Sequence, residues 1–149
     1  MDLTYLPLTL IKNTEFKYLL NCIDHLSKYV VSFLLKTKKA KEIYNKLNIY
    51  FTNYGVPIEI GTDNRSEFNN NLVKSLLSSK NIKYIRGKPY NPHSQGVCER
   101  VHRRIRNGLI CKYLENKKAF NIENALKFVV NTYNNTTHRT TKYKPYDVF

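Results

Sequence analysis

The spacing of apolar residues changes along the chain and separates segments of different predicted structure. Three runs rich in β-branched and aromatic residues come first, broken by polar turn residues, and they are typical of antiparallel strands: residues 3–11, 16–23 and 29–36. From Lys39 the apolar residues follow helical spacing, and Gly55 and Pro57 end that helix before a short strand at 58–61. The pattern therefore predicts an antiparallel meander followed by a helix and a strand.

The second half of the chain alternates helices and strands. Residues 70–79 carry an apolar helical face, and a short strand follows at 82–85; the face consists of Leu72, Val73, Leu76 and Leu77. A polar loop is predicted at 87–96. The long helix after it has one apolar side, on which four residues recur at every fourth position: Val97, Val101, Ile105 and Leu109. A last helix is predicted at 122–133.

Three antiparallel strands followed by alternating helices and strands predict an α/β fold. We expect a five-stranded mixed sheet flanked by helices, the order of the ribonuclease H fold. The length of 149 residues suits one domain, and neither a repeat nor a linker divides residues 1–149. Apolar stretches fall far short of the roughly 20 residues that cross a bilayer. We therefore expect a soluble, intracellular, single-domain protein with no membrane partner.

The charge balance favours a polyanionic partner. Lys and Arg number 25 against 11 Asp and Glu, which gives a net charge of +14. A field of that sign attracts nucleic acid, although a surface that is merely solubilising would have the same composition. The three cysteines, Cys22, Cys98 and Cys111, are widely spaced and form no CxxC pair, so they indicate neither a disulfide framework nor a zinc site.

Three carboxylates stand at positions that suit a metal site. Asp2 opens the first predicted strand, Asp63 follows the strand at 58–61, and Glu99 lies in the first turn of the long helix. Clustered carboxylates repel one another unless cations neutralise them, and oxygen ligands favour Mg²⁺ or Mn²⁺. Taken singly, Asp63 is equally consistent with a turn after a strand, and Glu99 with a helix-dipole residue.

The segments around these carboxylates resemble a known family. Residues 62–68 (TDNRSEF) and 90–100 (YNPHSQGVCER) are similar to the segments that carry the second and third catalytic residues of retroviral and gypsy-type integrases. Between Asp63 and Glu99 lie 35 residues, positions 64 to 98, which is the DD35E spacing of that family. Residues 2–4, 23–28 and 133–145 resemble further family segments in the same order. The resemblance covers nearly the whole chain.

The resemblance implies an integrase catalytic core, a polynucleotidyl transferase that acts on DNA. It assigns Asp2, Asp63 and Glu99 as catalytic residues that hold two Mg²⁺ or Mn²⁺ ions. The implied reactions are 3′-end processing of viral or retrotransposon DNA and its strand transfer into target DNA, at nuclear DNA. Integrase cores commonly pair, so we also expect a homodimer or higher oligomer. The alternatives are a domesticated, non-catalytic domain that binds DNA or protein, or a related transposase or nuclease.

Basic and polar residues near Glu99 are predicted to contact DNA. His102, Arg103 and Arg106 follow Glu99 at i+3, i+4 and i+7, so all three share its side of the helix. The predicted contacts also include a set in the loops before the helix: Asn64, Lys88, Tyr90, Ser94 and Gln95. For Tyr90 and Gln95, contact with the DNA end is what the resemblance implies, and Tyr90 is equally consistent with a packing residue at the base of the loop. The basic residues of the helix are also consistent with solvated surface charges, although their register with Glu99 favours DNA contact.

Two positions call for separate treatment. Asp24 falls where the family has no metal ligand, and we assign it to structure. Arg65 stands where the family usually has glycine, and its Cβ restricts the loop beside Asp63. The zinc-binding amino-terminal and basic carboxy-terminal domains of full-length integrases have no counterpart in these residues, so we expect a core domain taken from a longer protein.

Overall fold

Five strands and six helices make up the described part of the chain. The computed structural model describes residues 1–62, 67–86 and 92–149, with the backbone alone at 86 and 92–95. The strands are β1 (Asp2–Tyr5), β2 (Tyr18–Ile23), β3 (Val30–Leu35), β4 (Glu59–Thr62) and β5 (Lys83–Arg86). The helices are α1 (Leu8–Ile11), α2 (Ala40–Tyr54), α3 (Asn71–Ser79), α4 (Pro92–Glu115), α5 (Ile122–Asn134) and α6 (Pro145–Val148).

The strands form an antiparallel ladder and a parallel ladder. The first three pair in the order β1-β2-β3, and β4 pairs with β5 in parallel. The nitrogen of Met1 donates to the carbonyl oxygen of Gly61 at 2.6 Å, which brings the start of β1 beside β4. Strands of mixed direction flanked by helices confirm the predicted α/β class, although hydrogen bonding among the described residues divides the five strands into two ladders.

Helices cover both faces of the antiparallel sheet. Successive side chains of a strand point to opposite faces, so β2 directs Leu19 to one face and Leu20 to the other. Leu19 packs on what we call the α4/α5 face, with residues that include Val101, Ile105, Leu109 and Leu126. Leu20 packs on the α2/α3 face, with residues that include Ile43, Leu47, Val73 and Leu77. A sheet buried on both faces explains why β2 and β3 are nearly continuous apolar runs.

Side-chain caps and a glycine define several helix ends. The side chain of Asn70 accepts a hydrogen bond from Val73 N at the start of α3, and Asn121 does the same for Asn124 N at the start of α5. Each of these satisfies one of the backbone N–H groups that a helix leaves unpaired at its first turn. Gly55 follows α2 with φ 89°, a conformation that only glycine adopts freely.

The predicted strand at 3–11 is too long. β1 ends at Tyr5, and Pro7 precedes the short helix α1, in which Leu10 is buried and Leu8 is exposed. Proline has no N–H to give to a strand ladder but is tolerated at the start of a helix. The apolar residues after Pro7 therefore belong to a helical turn on the α4/α5 face.

The long helix begins earlier than predicted. α4 starts at Pro92, whereas the polar loop was predicted to extend to Gly96. Proline at the first helical position is a recognised start signal. The apolar face of α3 is confirmed for Val73, Leu76 and Leu77, but Leu72 is exposed. Among the described helices, none combines the length and the apolar character that crossing a membrane would require.

The last segment of the chain packs against the start of β3. Asn134, at the end of α5, accepts a hydrogen bond from Val30 N and donates one to Val30 O, both at 2.9 Å. After α6, the ring of Phe149 stacks on Tyr29 with centroids 4.3 Å apart. These contacts join the turn between β2 and β3 to the carboxy-terminal residues.

Candidate active site

A polar row crosses the antiparallel sheet on the α4/α5 face. Asp2 lies opposite Asn21, and Asn21 lies opposite Ser32. These side chains share the face of Leu19 and Leu34 because positions two apart in a strand point the same way. Asn21 is fully buried, and Ser32 Oγ donates to its Oδ1 at 2.5 Å. Its Nδ2 is a buried donor with no acceptor among the described residues.

Helix α4 crosses the end of this row and reaches Asp2. The apolar residues Val101, Ile105 and Leu109 hold the helix in the core of the α4/α5 face. His102 Nδ1 lies 3.5 Å from Asp2 Oδ2, with side chains only 10% and 20% exposed respectively. Since Glu99 precedes His102 by one helical turn, the contact brings the Glu99 end of α4 to the start of β1.

Strand β4 ends near the same place. Gly61 accepts the hydrogen bond from Met1 N, and Thr62 is buried with its hydroxyl 2.8 Å from that of Tyr84. Asp63 follows Thr62 directly in the sequence and lies outside the described residues. The described chain therefore brings the end of β4, the start of β1 and the Glu99 end of α4 to one corner of the molecule.

The predicted DNA contacts on α4 divide into two groups. Glu99 and Arg103 are exposed and Arg106 is half-buried, as expected for a solvent-facing side of the helix. His102 does not belong to that side, because it is buried against β1 and contacts Asp2. Its expected contact with phosphate is therefore corrected to a contact with the carboxylate. The sequence held a signal for this, since His102 precedes the core residue Leu109 by seven positions and shares its face.

The other predicted DNA contacts fall outside the described side chains. Asn64, Lys88 and Tyr90 lie outside the described residues, as does Arg65. Ser94 and Gln95 lie in the first turn of α4 by their backbone, and their side chains are outside the description. Contact of these residues with DNA stays a prediction.

Asp24 is a structural carboxylate, as predicted. Its Oδ2 accepts hydrogen bonds from Leu26 N, Ser27 N and Ser27 Oγ at 3.1, 2.7 and 2.7 Å. Burial alone would raise the pKa of Asp24, but the hydrogen bonds from Ser27 and Leu26, with the nearby charge of Lys28, lower it overall. The carboxylate thus closes the turn between β2 and β3.

The carboxylates at this corner are of the chemical type that binds a hard cation. Asp2 and Glu99 supply carboxylate oxygens, which Mg²⁺ and Mn²⁺ prefer. The unpartnered Nδ2 of Asn21, on the strand beside Asp2, is a donor of the type that orients a ligand carboxylate. Within the described ranges no three metal-ligating side chains form a group, and the third expected ligand, Asp63, is not in those ranges.

Several residues that bear on the site escaped the sequence reasoning. Asn21 is the single polar residue in the apolar run LLNCI, and this interruption was a usable signal. Arg100 and Arg104, both exposed, form an i,i+4 pair of cations on α4 that the prediction left out.

The arrangement of strands and helices is that of integrase catalytic cores. The HTLV-2 integrase catalytic core domain, solved in complex with magnesium in a trimeric form, matches with a TM-score of 0.81 at 20% identity, over 99% of this chain and 91% of that chain. At this identity the likeness shows the fold alone, a ribonuclease H-like α/β fold.

Sequence comparison shows the family. The family model of the integrase core domain matches residues 1–92, more than half of the chain. An uncharacterized transposon-derived protein of Caenorhabditis elegans is 35% identical over 140 residues, 91% of this chain and 47% of that protein. The Gag-Pro-Pol polyprotein of simian retrovirus SRV-2 is 34% identical over 95 residues, 64% of this chain and 5% of the polyprotein. The chain belongs to the integrase core domain family, and it spans about half or less of the length of these relatives.

Proposed function

We propose that this chain is the catalytic core of a metal-dependent DNA integrase, with Asp2, Asp63 and Glu99 as its catalytic residues and metal ligands. The observation that carries the proposal is the 3.5 Å approach of His102 Nδ1 to Asp2 Oδ2. This contact joins β1, which carries Asp2, to the turn of α4 that follows Glu99. Membership of the integrase core family supports the assignment.

The chain's own residues prepare the site for chemistry. The Asp2 carboxylate lies against His102 on α4 and across the strand pair from Asn21, so His102, a group that does not react, holds it in place at the start of β1. Glu99 is exposed, on a side of α4 that a phosphodiester can approach. When bound, a pair of Mg²⁺ or Mn²⁺ ions supplies activation of the attacking oxygen and stabilisation of the leaving oxygen.

The proposed substrates are the ends of an element's DNA and a target DNA. Processing would free a 3′-hydroxyl, and strand transfer would join it to a target phosphate in nuclear DNA. Arg103 and Arg106 are proposed to hold phosphates beside Glu99, because cations at these positions carry no base information but position the duplex. We therefore expect weak DNA binding without sequence preference that falls steeply as salt rises.

We further propose that the chain works as a homodimer or higher oligomer. The HTLV-2 core was solved in a trimeric form, which supports assembly but leaves the number of copies open. Joining two DNA ends to one target at the same time would use one active site for each end. Sedimentation of the chain across a range of concentrations, with and without DNA, measures this number directly.

Replacing Glu99 with glutamine tests the catalytic assignment. Glutamine keeps the size and helix propensity of glutamate but removes an anionic ligand. The control on the same helix is Glu115→Gln, an exposed glutamate at the other end of α4, whose ion pair with Lys112 across one helical turn contributes little to stability. Strand transfer of a labelled DNA end in Mg²⁺ should be lost in Glu99→Gln and kept in Glu115→Gln, while both variants unfold at the temperature of the parent chain.

The outcomes separate the proposed integrase from its rivals. Equal joining by the parent and Glu99→Gln would refute the assignment of Glu99. A folded parent that binds DNA but neither processes nor joins it, even within a full-length protein, would favour a domesticated, non-catalytic domain. Cleavage without any joining would favour a nuclease of the same fold.

A further inference from the structure

A second cationic surface lies beside α4. It consists of Lys28 in the turn between β2 and β3, Arg100 and Arg104 on α4, and His138 after α5, and we call these four residues the lateral basic surface. Arg100 and Arg104 are exposed, and Lys28 and His138 are half-buried. Three separate segments of the chain therefore contribute to it, and it includes neither Arg103 nor Arg106.

Two contacts bring these segments together. The paired hydrogen bonds of Asn134 with Val30 fix the end of α5 to the start of β3, so the turn that holds Lys28 lies beside the segment that leads to His138. The guanidinium carbon of Arg104 lies 5.4 Å from the ring centroid of Tyr133, which packs α4 against the same end of α5. The proximity also acts on His138, whose pKa is lowered first by burial and then by Lys28, Arg104 and Arg100. His138 is therefore uncharged at neutral pH, and the positive charges of the surface are those of Lys28, Arg100 and Arg104.

The cations of this surface have no acidic counterpart in the described structure. None of the ion pairs formed by the described residues includes Lys28, Arg100, Arg104 or His138. Asp24 lies in the same turn as Lys28, but its Oδ2 accepts the hydrogen bonds of Leu26 and Ser27. Cations held together without carboxylates gain stability when an anion binds.

Tyr133 adds a buried donor to this region. Its side chain lines the groove between α4 and α5 together with Arg104 and Thr136, and the residue is only 5% exposed. Its hydroxyl has no hydrogen-bond partner among the described residues. Burial raises the pKa of Tyr133, with Arg104 and Arg100 acting in the opposite direction. The described groups without partners here are therefore hydrogen-bond donors and cations.

We propose that the lateral basic surface binds the phosphate backbone of duplex DNA, as a continuation of the DNA path that starts at Glu99. On a helix of 3.6 residues per turn, Arg103, Arg100 and Arg104 lie roughly 40°, 100° and 140° around α4 from Glu99. The cations thus extend without a break from the proposed catalytic side to the groove. Arg100 and Arg104 are about 6 Å apart along the axis of α4, so both can reach one phosphate strand.

This inference rests on the proposed function, because DNA is chosen as the occupant from that function and from the net charge of +14. Its test is Arg100→Gln combined with Arg104→Gln, measured as the affinity for a fluorescent duplex of arbitrary sequence at several salt concentrations. The matched control combines Lys117→Gln with Lys118→Gln. These two exposed lysines precede α5, so the charge change is the same but far from the surface.

The arginine variant should bind roughly tenfold more weakly at low salt, and its slope of log K against log salt should be shallower by about 1.8, which corresponds to two lost phosphate contacts. The lysine variant should change affinity less than about twofold if only local contacts matter. Thermal unfolding should be the same for both variants, which excludes misfolding as the cause.

Equal losses in the two variants would overturn the proposal, since total charge would then explain the binding. An arginine variant with parental DNA affinity would overturn it as well. If, in that second case, the arginine variant failed to bind a fluorescent polyglutamate peptide that the parent chain and the lysine variant bind, the occupant would be an acidic protein segment. Failure of the proposed function is seen separately, as absence of strand transfer in the parent chain, and the salt slopes still decide whether this surface binds DNA.

Discussion

Replacing Gly108 with alanine sets a gain in helix propensity against a clash between two helices. Gly108 lies in α4 where the helix meets α5. A Cβ at this position would lie 2.7 Å from Cγ1 and 3.0 Å from Cγ2 of Val129, and 3.5 Å from its Cβ. Since both methyl groups face the glycine, and valine is stiff about χ1 in a helix, rotation of the side chain does not relieve the contact.

The magnitudes decide the sign of the effect. Alanine in place of glycine inside a helix stabilises by about 1 kcal/mol. Forcing an extra methyl group into a packed contact costs about 1–3 kcal/mol. We therefore expect Gly108→Ala to lower the free energy of unfolding by about 1 kcal/mol, and to lower Tm by roughly 3 °C for a chain of this size.

A double-mutant cycle with Val129→Ala isolates the clash. Removing both methyl groups of Val129 leaves room for the new Cβ, so in that background Gly108→Ala should stabilise the protein by about 1 kcal/mol. The coupling energy between the two positions should then be about 1–3 kcal/mol. Urea unfolding, followed by the circular dichroism of the helices, measures all four proteins under one set of conditions.

The decisive observation is that Gly108→Ala destabilises the parent chain but stabilises the Val129→Ala variant. If Gly108→Ala stabilised the protein in both backgrounds by the same amount, the two helices would not be in the close contact described. In that case contact with Val129 of α5 would not restrict the side chain at position 108. If Gly108→Ala destabilised the protein equally in both backgrounds, the strain would come from α4 itself and not from Val129.

Three further predictions concern polar groups. Asn134→Leu should lower the free energy of unfolding by about 2–4 kcal/mol in urea, because the buried N–H and C=O of Val30 lose both partners, and a loss under 1 kcal/mol would contradict this. Because the pKa of Asp24 is lowered on folding, its stabilisation is complete above its unfolded pKa near 3.9 and is lost as pH falls through the folded value. As the pH falls into the acid range, Tm should therefore decline less steeply for Asp24→Asn than for the parent chain. Parallel curves would mean that the Asp24 carboxylate does not stabilise the turn. Asn21→Leu should weaken Mn²⁺ binding roughly tenfold in a paramagnetic resonance titration while stability stays nearly constant, and unchanged affinity would mean that Asn21 does not orient Asp2.

The strands and helices were predictable where one feature of the sequence dominates. β2 and β3 are apolar runs bounded by polar turns, and the structure places them within two residues of the prediction. β1 was overextended because the apolar run continues through Pro7, and only packing against α4 reveals that the residues after it turn into a helix. The start of α4 was missed because the polar composition of 87–96 outweighed the signal of Pro92.

The sequence supplies candidate residues for the site, but the contacts between them appear only in the structure. The spacing from Asp63 to Glu99 is visible in the sequence, whereas the approach of His102 to Asp2 joins positions a hundred residues apart. Helical spacing allows His102 to lie either on the solvent-facing side of α4 with Glu99 or on the buried side with Leu109. Only the packed structure shows that His102 is on the buried side. The polar interruption of β2 marks Asn21 in the sequence, but only strand register shows that it lies beside Asp2 and Ser32.

The different burial of Glu99 and Asp2 has an evolutionary consequence. Glu99 is exposed on α4, so the folded state places little constraint on its identity. Asp2 is four-fifths buried against His102 and Asn21, so replacing it disturbs the sheet as well as the chemistry. If a host lineage retained such a gene only for binding, selection on folding would not preserve Glu99. We therefore expect drifting copies of this domain to lose the glutamate first and the first aspartate later, an order that aligned descendants would record.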